Sequence, residues 1–576
     1  MTPALAQVDT DILILGSGGA GLFAALHAKK AAPGLDVTVA VKGLLGKCGC
    51  TRMVQGGYNV ALAPGDSVER HFMDTIEGGK WLNDQALAWT LVTEAQVRIR
   101  ELETELGCFF DRNADGSVHQ KAFAGQTFDR TVHKGDLTGI EIINRLSEQV
   151  WRRDVRRMED HRALELIPAA DGSGLAGVLM LDMRTGIPIL VRAKATLLAT
   201  GGGPTMYRFH TPSGDKTCDG LAMALRAGLP LRDMEMVQFH PTGLLAGTGT
   251  RMTGTVLEEG LRGAGGWLLD STGERFMEAY DPRGERATRD VVSRSIMRRI
   301  RDGFATPNGG VYIQMSHLGP AEVTRKFKGM VERCADCGFD LAGGRVEVIP
   351  TAHYMMGGVA FRADCSTELP RLYAAGEDTG GVHGANRLGG NGVANSTVFG
   401  GLAGGAMARE VVRAGSHADP DPVAIEAGLA RAYGPLGRPS GDLGAIREAL
   451  YETMWADVGI LRDAAGLARA TSALAGLAEA VARSGAPDGD RRYDLTWMDR
   501  LNLENLVLVS QSVCAAALAR TDSRGAHFRE DFPETSDLAT SHYTLVRGDG
   551  EGLAVAMEPV AFTHVRPGQS LLDAAA

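Results

Sequence analysis

The sequence predicts an α/β protein organised around a dinucleotide-binding β–α–β unit, and three observations carry that prediction. Asp11–Leu15 (DILIL) is a short apolar run of the kind buried in a parallel sheet, and Gly16-Ser-Gly-Gly-Ala-Gly21 follows it directly. A helical stretch, Leu22–Ala31, is closed by Pro33-Gly34, and Val37–Val41 supplies a second strand. Glycine makes up 75 of 576 residues, about 13% against the usual ~7%. It clusters at 16–21, 56–57, 201–203, 263–266, 357–358, 376–392 and 400–405, beside apolar runs. Glycines so placed indicate repeated close approach of backbone to one long ligand, not a linker or a fibre.

In the first unit, a strand, GxGxxG, a helix and a strand bring backbone N–H groups and a helix N-terminus to where a pyrophosphate binds. Gly16, Ser17, Gly18, Ala20 and Gly21 are the candidate contacts. Val41-Lys42 stands where an acid would hold an adenosine ribose, which disfavours NAD and favours a flavin dinucleotide held in other ways. Lys42 is then a candidate cofactor contact.

Size and composition bound the rest. The length suits two to four domains. A hydrophobic fraction of 44% with 23% charged residues is that of a globular protein, and the net charge of −10 argues against nucleic acid as a partner. Eight unevenly spaced cysteines are no disulfide framework, and the lone Cys334-Ala-Asp-Cys337 pair cannot complete a four-ligand metal site. No stretch reads as long enough to span a membrane and no basic leader precedes Asp11, so a cytoplasmic location is expected, with docking on a membrane partner left open. Residues 66–110 read as surface helices, Thr138–Val150 as an amphipathic helix, Val191–Thr200 as a buried strand, and 420–530 as helical, including Leu503–Arg520.

From the Gln55-Gly56-Gly57 turn onward the chain resembles the flavoprotein subunit of succinate dehydrogenase and fumarate reductase, a family that includes L-aspartate oxidase. The matching blocks are Ala199-Thr-Gly-Gly202, Thr217-Cys-Asp-Gly220, Gln238-Phe-His-Pro-Thr-Gly243, Glu259-Gly-Leu-Arg262, Arg289-Asp-Val-Val-Ser-Arg294 and the motif beginning Asp522-Ser-Arg-Gly525. The resemblance implies a doubly wound, Rossmann-like FAD-binding domain in two segments, 1–238 and 353–418. It implies an α+β capping domain at 239–352, a helical domain at 419–530 and a C-terminal tail at 531–576.

It also implies the site. FAD contacts would come from Cys50, Thr51, Gln55, Gly56, Gly57, Ala199, Thr200, Gly201, Asp219, Glu377, Arg387, Asn391, Gly392 and Val393, with Glu377 the candidate for the ribose acid missing after the second strand. Cys50 stands where membrane-bound members carry the histidine that binds FAD covalently. Histidyl-FAD is excluded there, and noncovalent FAD is expected, with an S-cysteinyl bond or a buried filler cysteine as the alternatives.

Substrate carboxylates would meet His240, His353 and Arg387, with Phe123 and Gln126 nearby and Arg289 exchanging a proton through Glu259 and Arg262. Glu258 replaces a threonine, and a carboxylate facing an anionic substrate is destabilising unless paired. Either the substrate carries a neutral or cationic substituent there, or Glu258 turns outward to an arginine. The implied reaction interconverts a saturated and an unsaturated C4-type dicarboxylate, succinate and fumarate or a substituted relative, by hydride transfer with flavin N5. An iron–sulfur partner subunit is implied as well. The alternative is an amino dicarboxylate oxidase like L-aspartate oxidase, with Glu258 on the ammonium group.

Overall fold

The computed structural model describes residues 4–573 apart from 248, 249, 251, 488, 549 and 551. Strand β1 (Ala6–Leu15) lies at the centre of a seven-stranded sheet. On one side it runs parallel to β2 (Val37–Ala40), and β2 to Arg156–Met158. On the other it runs parallel to Ile187–Leu198, which also takes Leu372–Ala374 in parallel beside its C-terminal end. Leu175–Asp182 and His161–Pro168 extend the sheet antiparallel from the other half of Ile187–Leu198. Ile12–Leu15 are at most 2% exposed, as a parallel strand covered on both faces requires.

β1 starts five residues before the apolar run. Residues 6–10 (AQVDT) mix polar and apolar side chains, exposed or half-buried except for buried Thr10, and their partners are Ile189–Ala193, among which Arg192 forms an ion pair with Asp9. Helix α1 (Gly19–Ala31) likewise begins inside the glycine run. The strand expected at Val191–Thr200 spans Ile187–Leu198, and β2 ends at Ala40. The helix expected at Thr138–Val150 spans Thr138–Trp151.

Helix Asn391–Ala414 packs along α1. A Cβ at Gly400 would lie 2.5 Å from the Ala20 carbonyl oxygen, and one at Gly404 would overlap that of Ala24. The 400–405 cluster therefore serves helix–helix contact, not approach to a ligand.

A second, four-stranded antiparallel sheet is ordered Val237–Leu244, Arg345–Met355, Val311–Gln314, Trp267–Leu269. Irregular register at Gln238/Phe239 and His240/Gly243 leaves Pro241, which has no N–H to donate, outside the ladder.

Helices Val68–Gly78 and Gln85–Thr104 are not surface helices: Phe72, Ile76, Leu87 and Leu91 are at most 1% exposed. The C-terminal helices Leu443–Ala456, Ala464–Arg483 and Leu495–Ala519 share one hydrophobic cluster with the central sheet, running from Leu13 and Leu198 through Leu450 and Leu467 to Val513. Leu495–Ala519 is by length and composition apolar enough to cross a membrane, against the expectation that no stretch reaches that length. Yet 67% of its apolar window is buried inside the protein. The tail forms a hairpin, His542–Gly548 with Leu553–Pro559.

Gly404→Leu should destabilise the protein by about 3 kcal/mol through overpacking against α1. Gly405→Ala, whose Cβ would meet only the flexible Arg409 side chain at 3.4 Å, should stabilise by roughly 0.5–1 kcal/mol. Thermal unfolding of the two variants checks both signs.

Candidate functional site

The carboxyl ends of β1, Ile187–Leu198 and Leu372–Ala374 open onto one cavity of about 490 Å³. That is the crevice where open α/β sheets bind ligands. Gly16–Ala20, Ala199–Gly201 and Ala375–Glu377 line it where they leave the strands. Lys42, Cys50, Thr51, Gln55, Gly56, Gly57, Phe123, Asp219, Glu258, Gly392 and Val393 also line it. Gly21 lies behind the wall, where a Cβ would overlap the Gly16 carbonyl oxygen.

At one end, Lys42 Nζ bonds Asp219 at 2.8 Å and the Thr217 hydroxyl at 2.7 Å. Arg162 and Asn505 donate to the same carboxylate at 2.8 and 2.7 Å. Against the burial that would raise it, Arg162 and Lys42 hold the Asp219 carboxyl far below the usual range. This cluster occupies the end of β2. Glu377 lies elsewhere: its Oε1 accepts the Met355 N–H at 3.1 Å and its charge interacts with Lys216 and Arg387. It does not replace the acid missing after β2.

Near the middle, the Thr51 hydroxyl accepts the Gly19 N–H at 2.9 Å and so ties the loop after β2 to the start of α1. Cys50 precedes it, and burial pushes its thiol up to about 12. A protonated thiol is a poor nucleophile.

At the other end the charges converge. Arg289, first residue of helix Arg289–Arg299, donates through Nε and Nη2 to Glu259 Oε2 at 3.0 and 2.6 Å. Its Nη1 donates to Gln238 Oε1 at 3.0 Å, and Arg387 Nη2 reaches the same oxygen at 3.1 Å. The Arg387 guanidinium lies 4.3 Å from the centre of the Tyr354 ring. Burial, with Arg289 close by, pushes it down to about 10. Among the described residues no carboxylate stands within ion-pair distance of Arg387.

His240 and His353 come from adjacent strands, with ring centres 5.5 Å apart. The Thr242 N–H donates to His240 Nδ1 at 3.3 Å, which leaves Nε2–H as the donor of the neutral ring. His353 Nδ1 shares a hydrogen bond of 2.8 Å with the Thr211 hydroxyl. Burial, reinforced by Arg289, holds both imidazoles well below 6.5.

Other expected contacts stand behind this wall. Arg262 donates to the Glu285 carbonyl and lies 3.5 Å from Glu259. Gln126 Nε2 donates to the Gly389 carbonyl at 3.0 Å, a support for the backbone at Gly389. The Asn391 side chain is held by Asn59, His71 and Thr75, away from the cavity. Glu258 neither turns outward nor meets an arginine: Lys121 Nζ lies 2.6 Å from its Oε1. Lys121, Lys216, Gln238 and Tyr354 carry no signal of their own in the sequence. Of these, only Gln238 sits inside a motif block, Gln238–Gly243.

The residues fit a flavin dinucleotide. A glycine cradle follows β1, a lysine and a buried acid mark one end, and buried polar atoms without a hydrogen bond, Glu259 Oε1 and Arg387 Nε, stand at the other.

Known proteins agree with that fit. Residues 11–393 match a family model described as FAD binding domain, and 447–571 one described as fumarate reductase flavoprotein C-term. A CoM/CoB fumarate reductase subunit of Methanothermobacter marburgensis is 42% identical over 92% of this chain and 95% of its own. The fumarate reductase flavoprotein subunit of Escherichia coli K12 is 33% identical over 94% and 92%. A solved structure of E. coli quinol fumarate reductase FrdA superposes with a TM-score of 0.92, 32% identity and coverage of 98% and 99%.

Two measurements check this geometry. His71, His240, His353, His383 and His527 are buried beside arginines and held below 6.5, His71 at about 3. The unfolded chain binds protons that the folded one refuses, so stability should fall as pH drops below 6.5, by up to about 1.4 kcal/mol per pH unit per histidine. Urea midpoints at pH 7.5 and 5.5 read the slope. Separately, Glu258→Gln should destabilise by about 2 kcal/mol, since Lys121 is left without its counter-charge in a half-buried setting. Adding Lys121→Met should recover most of the loss.

Proposed function

The chain belongs to the succinate dehydrogenase and fumarate reductase flavoprotein family, is an FAD-dependent oxidoreductase, and from that premise we propose that it interconverts a saturated and an unsaturated C4-type dicarboxylate. The observation that carries this reading is Arg387. A buried guanidinium with no carboxylate at ion-pair distance among the described residues, beside two neutral imidazoles, is a receptor for a substrate carboxylate.

Arg387 and the His240 Nε2–H bind and orient the carboxylates, with His353 beside them. Gln238 keeps Arg289 next to Arg387, so the proton-exchanging group and the carboxylate clamp keep a fixed separation. Arg289 moves the proton at the carbon next to the one that exchanges hydride, and Glu259 holds that guanidinium and passes it a replacement proton drawn from solvent by way of Arg262. FAD, when bound, supplies the two-electron chemistry. The division into 1–238 with 353–418, 239–352, 419–530 and 531–576 has its first two boundaries inside the paired strands Val237–Leu244 and Arg345–Met355, so His240 and His353 stand side by side on one sheet, and Arg289 meets Arg387 where the first two units adjoin, in a site that excludes water.

The high thiol pKa at Cys50 favours noncovalent FAD. The Lys121–Glu258 pair removes the basis for an ammonium site at Glu258 and with it the case for aspartate. The relatives are named as subunits. We therefore also assign this chain an electron-transfer partner, an iron–sulfur subunit, on the inner face of a membrane or in the cytoplasm.

The purified protein should reduce fumarate with a reduced dye and make no peroxide from aspartate. Arg289→Gln should lower kcat by at least about 10³ with KM within a few-fold. Activity unchanged in that variant would remove the proton-transfer assignment. Acid precipitation should leave the flavin in the supernatant.

A further inference from the structure

Lys216 is the one buried ammonium on the cavity wall without a carboxylate at ion-pair distance among the described residues. It is 7% exposed and lines the cavity. Its Nζ uses one of three donors, on the Thr200 carbonyl oxygen at 3.2 Å. Cys50, Glu377, Asp378 and Asp215 surround it at longer range.

The glycines after Ile187–Leu198 show that this seat is built. A Cβ at Gly201 would overlap Lys216 Nζ, and one at Gly203 would come within 2.9 Å of Lys216 Cβ. A Cβ at Gly202 would come within 2.9 Å of Glu377 Oε1. Glycine at all three positions makes room for one ammonium and one carboxylate on the same wall.

Chain neighbours locate the ammonium along the cavity. Thr211, earlier on the same segment, bonds His353 at the substrate end. Thr217, next in sequence, bonds Lys42 at the opposite end. Lys216 thus stands between the two, along the stretch that joins the pyrophosphate cradle to the carboxylate clamp.

We propose that Lys216 is the fixed cation that sets the redox poise of the bound cofactor. This rests on the assignment of the cavity to FAD. Uptake of two electrons and one proton leaves the cofactor with one more negative charge, and an ammonium with two unused donors in a low-dielectric cavity stabilises that charge. Lys216 therefore binds the reduced form more tightly than the oxidised form and raises the midpoint potential.

The test compares the holo-protein with its Lys216→Met and Lys216→Gln variants by spectroelectrochemical titration; the glutamine can still donate to the Thr200 oxygen. Either variant should lose at least a tenfold preference for the reduced form, a fall of about 30 mV for a two-electron couple. A preference within twofold of wild type in a folded, flavin-bearing variant would overturn the proposal, and so would failure of both variants to fold as holo-proteins, which marks a purely structural lysine. Wild-type protein that takes up no FAD would instead overturn the cofactor assignment on which the proposal stands.

Discussion

Two buried guanidinium groups, those of Arg289 and Arg387, meet at a single amide oxygen on Gln238. Like charges so close in a low-dielectric interior repel strongly unless each is separately compensated. Glu259 answers Arg289, and the face of Tyr354 answers Arg387. The compensation is incomplete by one charge. That residual positive charge gives the cavity its appetite for an anion. The bulged strand Val237–Leu244, the start of helix Arg289–Arg299 and the loop before Asn391 have to converge for this arrangement to exist.

Much of the fold was legible because the signals were local. An apolar run followed by glycines marks a parallel strand entering a helix, and β1 and α1 begin earlier than expected only because pairing partners and a helix start are not written in hydrophobicity. Glycine clusters were less transparent. The same residue type serves cofactor approach at Gly16, helix contact at Gly404 and the seating of charged side chains at Gly201 to Gly203. Sequence records that a Cβ is missing, not what fills its place.

The site was legible by motif and illegible by pairing. His240, His353, Arg289, Arg387 and Glu259 lie together, while Asn391 and Gln126 turn out to brace the backbone around them. Lys121 stands 137 residues from Glu258 in sequence, and no periodicity joins the two. Gln238 stood in plain view inside a recognised block, but its role as a bridge emerges only when both arginines are in place.

Asn505, on the helix Leu495–Ala519, donates to Asp219, and Asn502 on the same helix accepts from Arg162 and Thr217. The Lys42–Asp219 end of the cavity is therefore finished by residues near the end of the chain. A growing polypeptide has β1, α1 and the glycine cradle long before that helix leaves the ribosome. The Lys42–Asp219 corner of the cavity therefore takes its final hydrogen-bond pattern only after the helix that carries Asn502 and Asn505 has been made and has packed against it.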